Sequence, residues 1–144
     1  MARIKITIPE NRLASISIPV RISDINYGNH LGNDSLVSII HEARVQWLKQ
    51  NNYSEIDIGG TGLIMSDLAV EYLGEGFYGD ELRVSIAAGD VSRVSFEVYY
   101  NIETTRNGQT VQVARAKTGM VCYDYQLKKV AAIPDKFRQL LGAR

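Results

Sequence analysis

A chain of 144 residues is long enough for one domain with a sizeable core, and 45% apolar and 22% charged residues are ordinary for a globular protein. Sixteen Lys and Arg balance sixteen Asp and Glu, so no field of one sign points to nucleic acid or to an anionic membrane. The single cysteine, Cys122, allows no internal disulfide or metal cluster, no run approaches the about 18 apolar residues of a membrane span, and residues 1–10 lack the apolar core of a secretory leader, so the expectation is one cytoplasmic domain over residues 1–144.

Ile16, Ile18, Val20 and Ile22 alternate with polar residues or Pro19, which predicts a half-buried strand with an edge or bulge near the proline. A preceding alternation, Ile4, Ile6 and Ile8, is a candidate to pair with it. A polar segment, residues 23–34, then feeds the one long helical pattern, in which Leu36, Ile39, Ile40, Ala43, Trp47 and Leu48 recur at helical spacing. Asn33 or Asp34 is the expected N-cap, and Asn51-Asn52 the end. The remainder reads as strands: residues 62–73, 81–88, 94–102 and 109–124, with Asn107-Gly108 supplying the two positive-φ positions of a type I′ turn. Residues 134–141 predict a short terminal helix led by a proline. The layout is α+β, one long helix against a meander of five to six antiparallel strands. One helix cannot cover such a sheet on both sides, so a face or edge is expected to take a second copy, in a dimer or a dimer of dimers.

The segment from Val20 to Asp34 carries the chemistry. A strand ends there, and a loop rich in Asn and Gly enters a helix N-terminus, where free N–H groups and the helix dipole favour negative charge. Such an end can hold a developing oxyanion. Asp24, Asn26, Asn29, His30, Asn33 and Asp34 crowd around it, and His41, Glu42 and Arg44 follow in the helix. His30 and His41 match no familiar metal-ligand spacing, so no metal is expected.

At this point the sequence resembles the hotdog-fold thioesterases of the small acyl-coenzyme A and acyl-carrier-protein branch, the 4-hydroxybenzoyl-CoA thioesterase-like proteins. The matching residues are Asp24-Ile-Asn26, Gly28-Asn-His30-Leu-Gly-Asn33 and Glu42-Ala43-Arg44, followed by Val70-Glu-Tyr-Leu, Tyr78-Gly-Asp-Glu-Leu-Arg-Val, Ala114 to Asp124 and Ile133-Pro134. The resemblance covers nearly the whole chain, and its specificity lies in the order and spacing of motifs that are individually weak. It implies a helix wrapped by a curved antiparallel sheet, two protomers sharing one continuous sheet, and active sites at the dimer interface near the helix N-terminus. It also implies that a backbone N–H of residues 31–33 polarises the thioester carbonyl. No organic cofactor is implied, since coenzyme A or phosphopantetheine is the handle of the substrate.

The second carboxylate of the family's Asp-x-Asp is its usual base or nucleophile, and this chain has Asn26 there. An amide takes no proton from water at neutral pH. Three readings stay open. Asn26 and Arg44 position thioester and water without a strong base, as the enediyne polyketide thioesterases, similar at both positions, suggest. Alternatively Asp24, His30 or Glu42 is the base, and His30 resembles the loop histidine of plant acyl-carrier-protein thioesterases. In the third, the site binds thioesters without hydrolysing them. A hotdog dehydratase or hydratase, using His30 and Glu42, is the enzymatic rival. The expected substrate contacts are Tyr27, Leu31, Gly32 and Asn33, the acyl lining Leu36, Ile40, Leu63, Ile64 and Met65, and Arg93 for a coenzyme A phosphate.

Overall fold

A computed structural model describes residues 3–142. In chain order the elements are β1 (Arg12–Pro19), α1 (Asn33–Gln50), β2 (Gly62–Tyr72), β3 (Glu81–Val91), β4 (Ser95–Arg106), β5 (Gln109–Asp124), β6 (Lys129–Val130) and α2 (Asp135–Leu140). All strands pair antiparallel in one curved, unclosed sheet of order β1-β3-β4-β5-β2, with the short β6 against the end of β5. This is the hotdog arrangement that the sequence resemblance implies.

The periodicities explain the layers. In β4, Phe96, Val98, Tyr100 and Ile102 are buried, while Glu97, Tyr99, Asn101 and Glu103 alternate on the outer face. Leu82, Val84 and Ile86 of β3 and Ala114, Ala116, Met120 and Cys122 of β5 continue the same inner face. Against it α1 packs Leu36, Ile39, Ile40, Ala43, Trp47 and Leu48. The aromatic ring of Phe137 in α2 closes the far end of this core, with centroids 6.0 Å from Trp47, 5.2 Å from Tyr53 and 5.4 Å from Phe96. Cys122 lies within the core, and burial pushes its thiol up to about 11, so it behaves as a small apolar residue. Among the described residues no helix is long and apolar enough to cross a membrane.

Pro19 ends β1, an edge strand, where its missing N–H costs no ladder bond. Asn107 and Gly108 take φ values of 52° and 75°, as a type I′ turn between β4 and β5 requires. Two sequence expectations need correction. Ile4, Ile6 and Ile8 form no strand with β1; the segment crosses instead to the end of β2, where the Ile6 N–H donates to Glu71 at 3.0 Å and Arg3 donates to the Tyr72 carbonyl at 2.8 Å. The cap of α1 is neither Asn33 nor Asp34 but Gly32, whose backbone is extended and whose carbonyl accepts the Leu36 N–H at 3.0 Å.

The outer sheet face is charged rather than apolar. Arg83 pairs with Glu103, and Lys117 pairs with Asp67 and Glu97. At the β2 edge Ile64 and Met65 are apolar and exposed, 38% and 42% accessible.

Candidate functional site

The loop before α1 is held by its own backbone. Asp24, almost fully buried, accepts the Arg21 N–H at 2.9 Å and pairs with the Arg21 guanidinium at 3.3 Å, closing a single 3-10 turn over Ile22–Asp24. The carboxamide oxygen of Asn26 accepts the Gly28 N–H at 2.9 Å and the His30 N–H at 3.3 Å, while the Asn26 N–H donates to the His30 carbonyl at 2.8 Å. Asn26 thus folds the loop that carries His30. Asn29 takes φ 65° in that turn, a left-handed conformation that asparagine tolerates.

The amide groups entering α1 divide into two sets. The Leu31 N–H donates to the Gly76 carbonyl at 2.7 Å, and the Gly32 N–H donates to the Asp24 carbonyl at 2.9 Å. Ser35 donates to the Asp34 carboxylate at 2.9 Å. Among the described residues, no acceptor meets the N–H of Asn33 or Asp34, the first two helical positions. Of the three amides expected to polarise a carbonyl, Leu31, Gly32 and Asn33, only that of Asn33 is free.

Asn33 helps line a cavity of about 140 Å³. Asn26, His30, Leu31, Gly32 and Leu36 line it from the loop and helix, and Tyr72, Gly74, Glu75, Gly76 and Val113 line it from the sheet. The Tyr72 hydroxyl donates to the Asn33 carbonyl at 3.3 Å; burial, then the charge of Asp34, raises its pKa above the ordinary tyrosine value. Residues 73–80, between β2 and β3, close over the loop, and Gly76 permits this contact. A Cβ there would stand 2.9 Å from the Leu31 side chain.

The remaining candidates lie elsewhere in the chain. Asp24 and Glu42 open into a second groove of about 350 Å³ between β1 and α1, where Glu42 accepts from Gln46 at 2.6 Å. His30 is not in that groove, so the His30–Glu42 pair of a dehydratase does not share one cavity. Arg44 is 5% exposed and points into the core. It donates to Glu55 at 2.9 Å and to the Tyr100 hydroxyl at 3.1 Å, and Tyr100 in turn bonds Thr118 at 2.7 Å. Tyr27 is fully exposed and lines neither cavity. Ile40 is buried in the core away from the cavity wall.

Leu63, Ile64 and Met65 sit at the other end of β2 from Tyr72, about 25 Å away at ordinary strand rise. Leu63 is buried there, beside Glu55 and Tyr125, whereas Ile64 and Met65 face outward. Arg93 occupies the turn between β3 and β4 at that same end, its carbonyl accepting from Ile133 at 2.9 Å. Among the described residues no cluster of three or more His, Cys, Asp or Glu side chains could hold a metal ion.

Glu75 and Gly76 were not among the sequence candidates. Their signal is the interrupted pattern after β2, Leu73-Gly-Glu-Gly-Phe, in which two glycines flank one carboxylate.

A family model described as the thioesterase-like superfamily matches residues 20–141. No curated protein sequence matches the chain. Three solved structures are similar to it. One is Slr0204, a 1,4-dihydroxy-2-naphthoyl-CoA thioesterase from Synechocystis, with a TM-score of 0.77 at 22% identity, covering 89% of this chain and 94% of that one. Another is a member of the thioesterase superfamily from Jannaschia sp. CCS1, with a TM-score of 0.78 at 16% identity, covering 94% and 87%. The third is a DHNA-CoA thioesterase from Staphylococcus aureus, with a TM-score of 0.77 at 16% identity, covering 90% and 88%. At these identities the likeness shows a shared fold.

Proposed function

Because the chain belongs to the thioesterase-like superfamily, we propose that it hydrolyses an acyl thioester, carried on coenzyme A or on the phosphopantetheine arm of a carrier protein, at the amide end of α1. The observation that carries this reading is the unsatisfied N–H of Asn33 in the wall of a cavity that also holds His30. The thioester carbonyl oxygen takes the place of the missing acceptor, with the helix dipole behind it. His30 takes a proton from water as the water oxygen bonds to the carbonyl carbon. The tetrahedral intermediate collapses, the C–S bond breaks, and the imidazolium returns the proton to the departing sulfur. The products are a carboxylic acid and a thiol.

Asn26 serves this chemistry through the loop, since its side chain is occupied by the Gly28 and His30 amides. A carboxylate accepts both of those bonds, so Asn26→Asp should retain or raise the rate of thiol release. Asn26→Ala loses two hydrogen bonds worth about 1 kcal/mol each and frees His30, and should lower the rate by about tenfold. Rates unchanged in both variants would remove Asn26 from the reaction.

A cavity of about 140 Å³ holds roughly five waters, too little for a long acyl chain. A second copy supplies the rest. Main-chain groups along the middle of the β2 edge have no partner strand, and antiparallel pairing of two copies about Asp67, its midpoint, sets the second copy's Ile64 and Met65 beside this chain's Val70 and Ala69. Ile64 and Met65, remote from the cavity within one chain, then wall the acyl site of the other, while Leu63 stays buried in its own chain.

The function is tested by a thiol-release screen over short, long and aromatic acyl-coenzyme A esters. Steady release of free thiol without a hydration product is the expected result. Tight binding without turnover would favour a thioester-binding role instead.

A further inference from the structure

A histidine acting as base ordinarily has a partner, a third group that fixes which ring nitrogen carries the proton. The cavity wall contains one carboxylate, that of Glu75. Its Oε2 lies 3.7 Å from Nε2 of His30.

Several contacts fix the segment around it. The guanidinium of Arg106 binds the Asp80 carboxylate at 2.7 Å, contacts the Glu75 carbonyl, and lies 4.7 Å over the ring of Phe77. The other neighbour of Phe77 is His30, edge-on at 5.6 Å. The main chain of His30 is tied to Asn26 through both its N–H and its carbonyl. The backbone is therefore constrained, the ring packs beside Phe77, and Nε2 lies toward the one carboxylate in reach. Such contacts between catalytic groups are often long in the absence of substrate and shorten when the site fills.

We infer that Glu75 is a positioning residue: it accepts a hydrogen bond from Nε2–H of His30, holds the ring in the tautomer whose Nδ1 takes the proton from water, and supplies the carboxylate that Asn26 lacks. This rests on the hydrolytic reading above. The carboxylate comes from the β2–β3 connection rather than from the loop before α1, so the acid moves to another element while the reaction stays in the same cavity.

The charges around His30 leave this assignment to Glu75. On its own loop, Asp24 is engaged by Arg21. On α1, the Asp34 carboxylate accepts from Ser35. On the β2–β3 connection, Asp80 is engaged by Arg106, which reaches in from β4 behind Phe77. Tyr72 from β2 donates to Asn33. Among the described residues only Glu75 lies within ion-pair range of the His30 ring.

The test uses the full chain with Glu75→Gln and Glu75→Asp. Two readouts are taken: the pH profile of thiol release, and the ring-nitrogen signals of His30 by proton–nitrogen NMR. The chain has two histidines, so His41→Asn identifies the His30 signal. Glu75→Gln is expected to lower kcat by about tenfold or more, to move the acid limb of the profile, and to shift the His30 Nε2 signal. Glu75→Asp should recover part of these effects. A slower Glu75→Gln enzyme whose acid limb and His30 Nε2 signal do not move has lost only structure, and overturns the assignment. An unchanged rate and Nε2 signal in Glu75→Gln, with His30→Ala inactive, overturns the pairing and leaves hydrolysis standing. If no ester releases thiol, hydrolysis falls, and the NMR signal still decides the pairing.

Discussion

Replacing Asn33 by proline should lower kcat for thiol release by about a hundredfold to a thousandfold while leaving the fold intact. Proline deletes the N–H proposed to hold the carbonyl oxygen and places ring carbons there. The backbone accepts it. Asn33 is the first helical position, where proline is favoured, and Gly32 before it is already extended at φ −69° and ψ 148°, as a residue preceding proline must be. The Asn33 carbonyl, which accepts from Tyr72, is unaffected. Asn33→Ala keeps the N–H and should keep most of the rate. Thermal unfolding separates the cases: Asn33→Pro should melt within a few degrees of the wild type. A folded Asn33→Pro enzyme with full activity would place the oxyanion site elsewhere.

Arg44→Ala should destabilise the fold by about 2 to 3 kcal/mol, read by urea unfolding. The guanidinium is the one buried cation of α1, and its removal takes a donor from the half-buried Glu55 carboxylate, which keeps His41, and from the Tyr100 hydroxyl, which keeps Thr118. Since domains of this size are stable by about 5 to 15 kcal/mol, such a loss is a large share of the total. The pH dependence has a definite sign. Burial alone would raise the Glu55 pKa, but hydrogen bonds from Arg44 and then His41 outweigh it and hold the carboxyl below the ordinary glutamate value. A folded pKa below the unfolded one gives stability that is present above the unfolded value and is lost as pH falls through the folded one. Arg44→Ala removes the main cause of the lowering, so the variant should lose less stability between neutral and acid pH than the wild type loses. An equal acid loss in both proteins would show that Glu55 draws little from Arg44.

The helix and the loop before it are legible in the sequence because both rest on local chemistry. The apolar spacing from Leu36 to Leu48 defines one helical face, and the Asn- and Gly-rich residues 23–34 can form little but turns. The inward aim of Arg44 has a sequence signal too. Leu36, Ile40, Arg44 and Leu48 form an unbroken i, i+4 series, so the arginine shares the buried stripe while Glu42, two residues away, faces elsewhere. The second wall of the cavity is less legible. Tyr72, Glu75 and Gly76 reach the helix end only because β2 pairs with β5 with Tyr72 opposite Ala114, a register set by contacts more than forty residues apart. The remoteness of Ile64, Met65 and Arg93 has the same origin. They follow the loop in sequence, but the antiparallel order carries them to the other end of the sheet.

Hydrolysis at this site requires that the free amides at the start of α1 meet the thioester carbonyl. The direct measurement is a proton–nitrogen NMR titration of the full chain with an acyl-coenzyme A analogue in which a methylene replaces sulfur, so that the carbonyl remains and no hydrolysis occurs. The amide proton of Asn33, with Asp34 beside it, should move downfield and exchange more slowly as the analogue binds. Binding that leaves those two amides unmoved and shifts instead the groove of Ile18, Ser38 and Gln46 between β1 and α1 would contradict it.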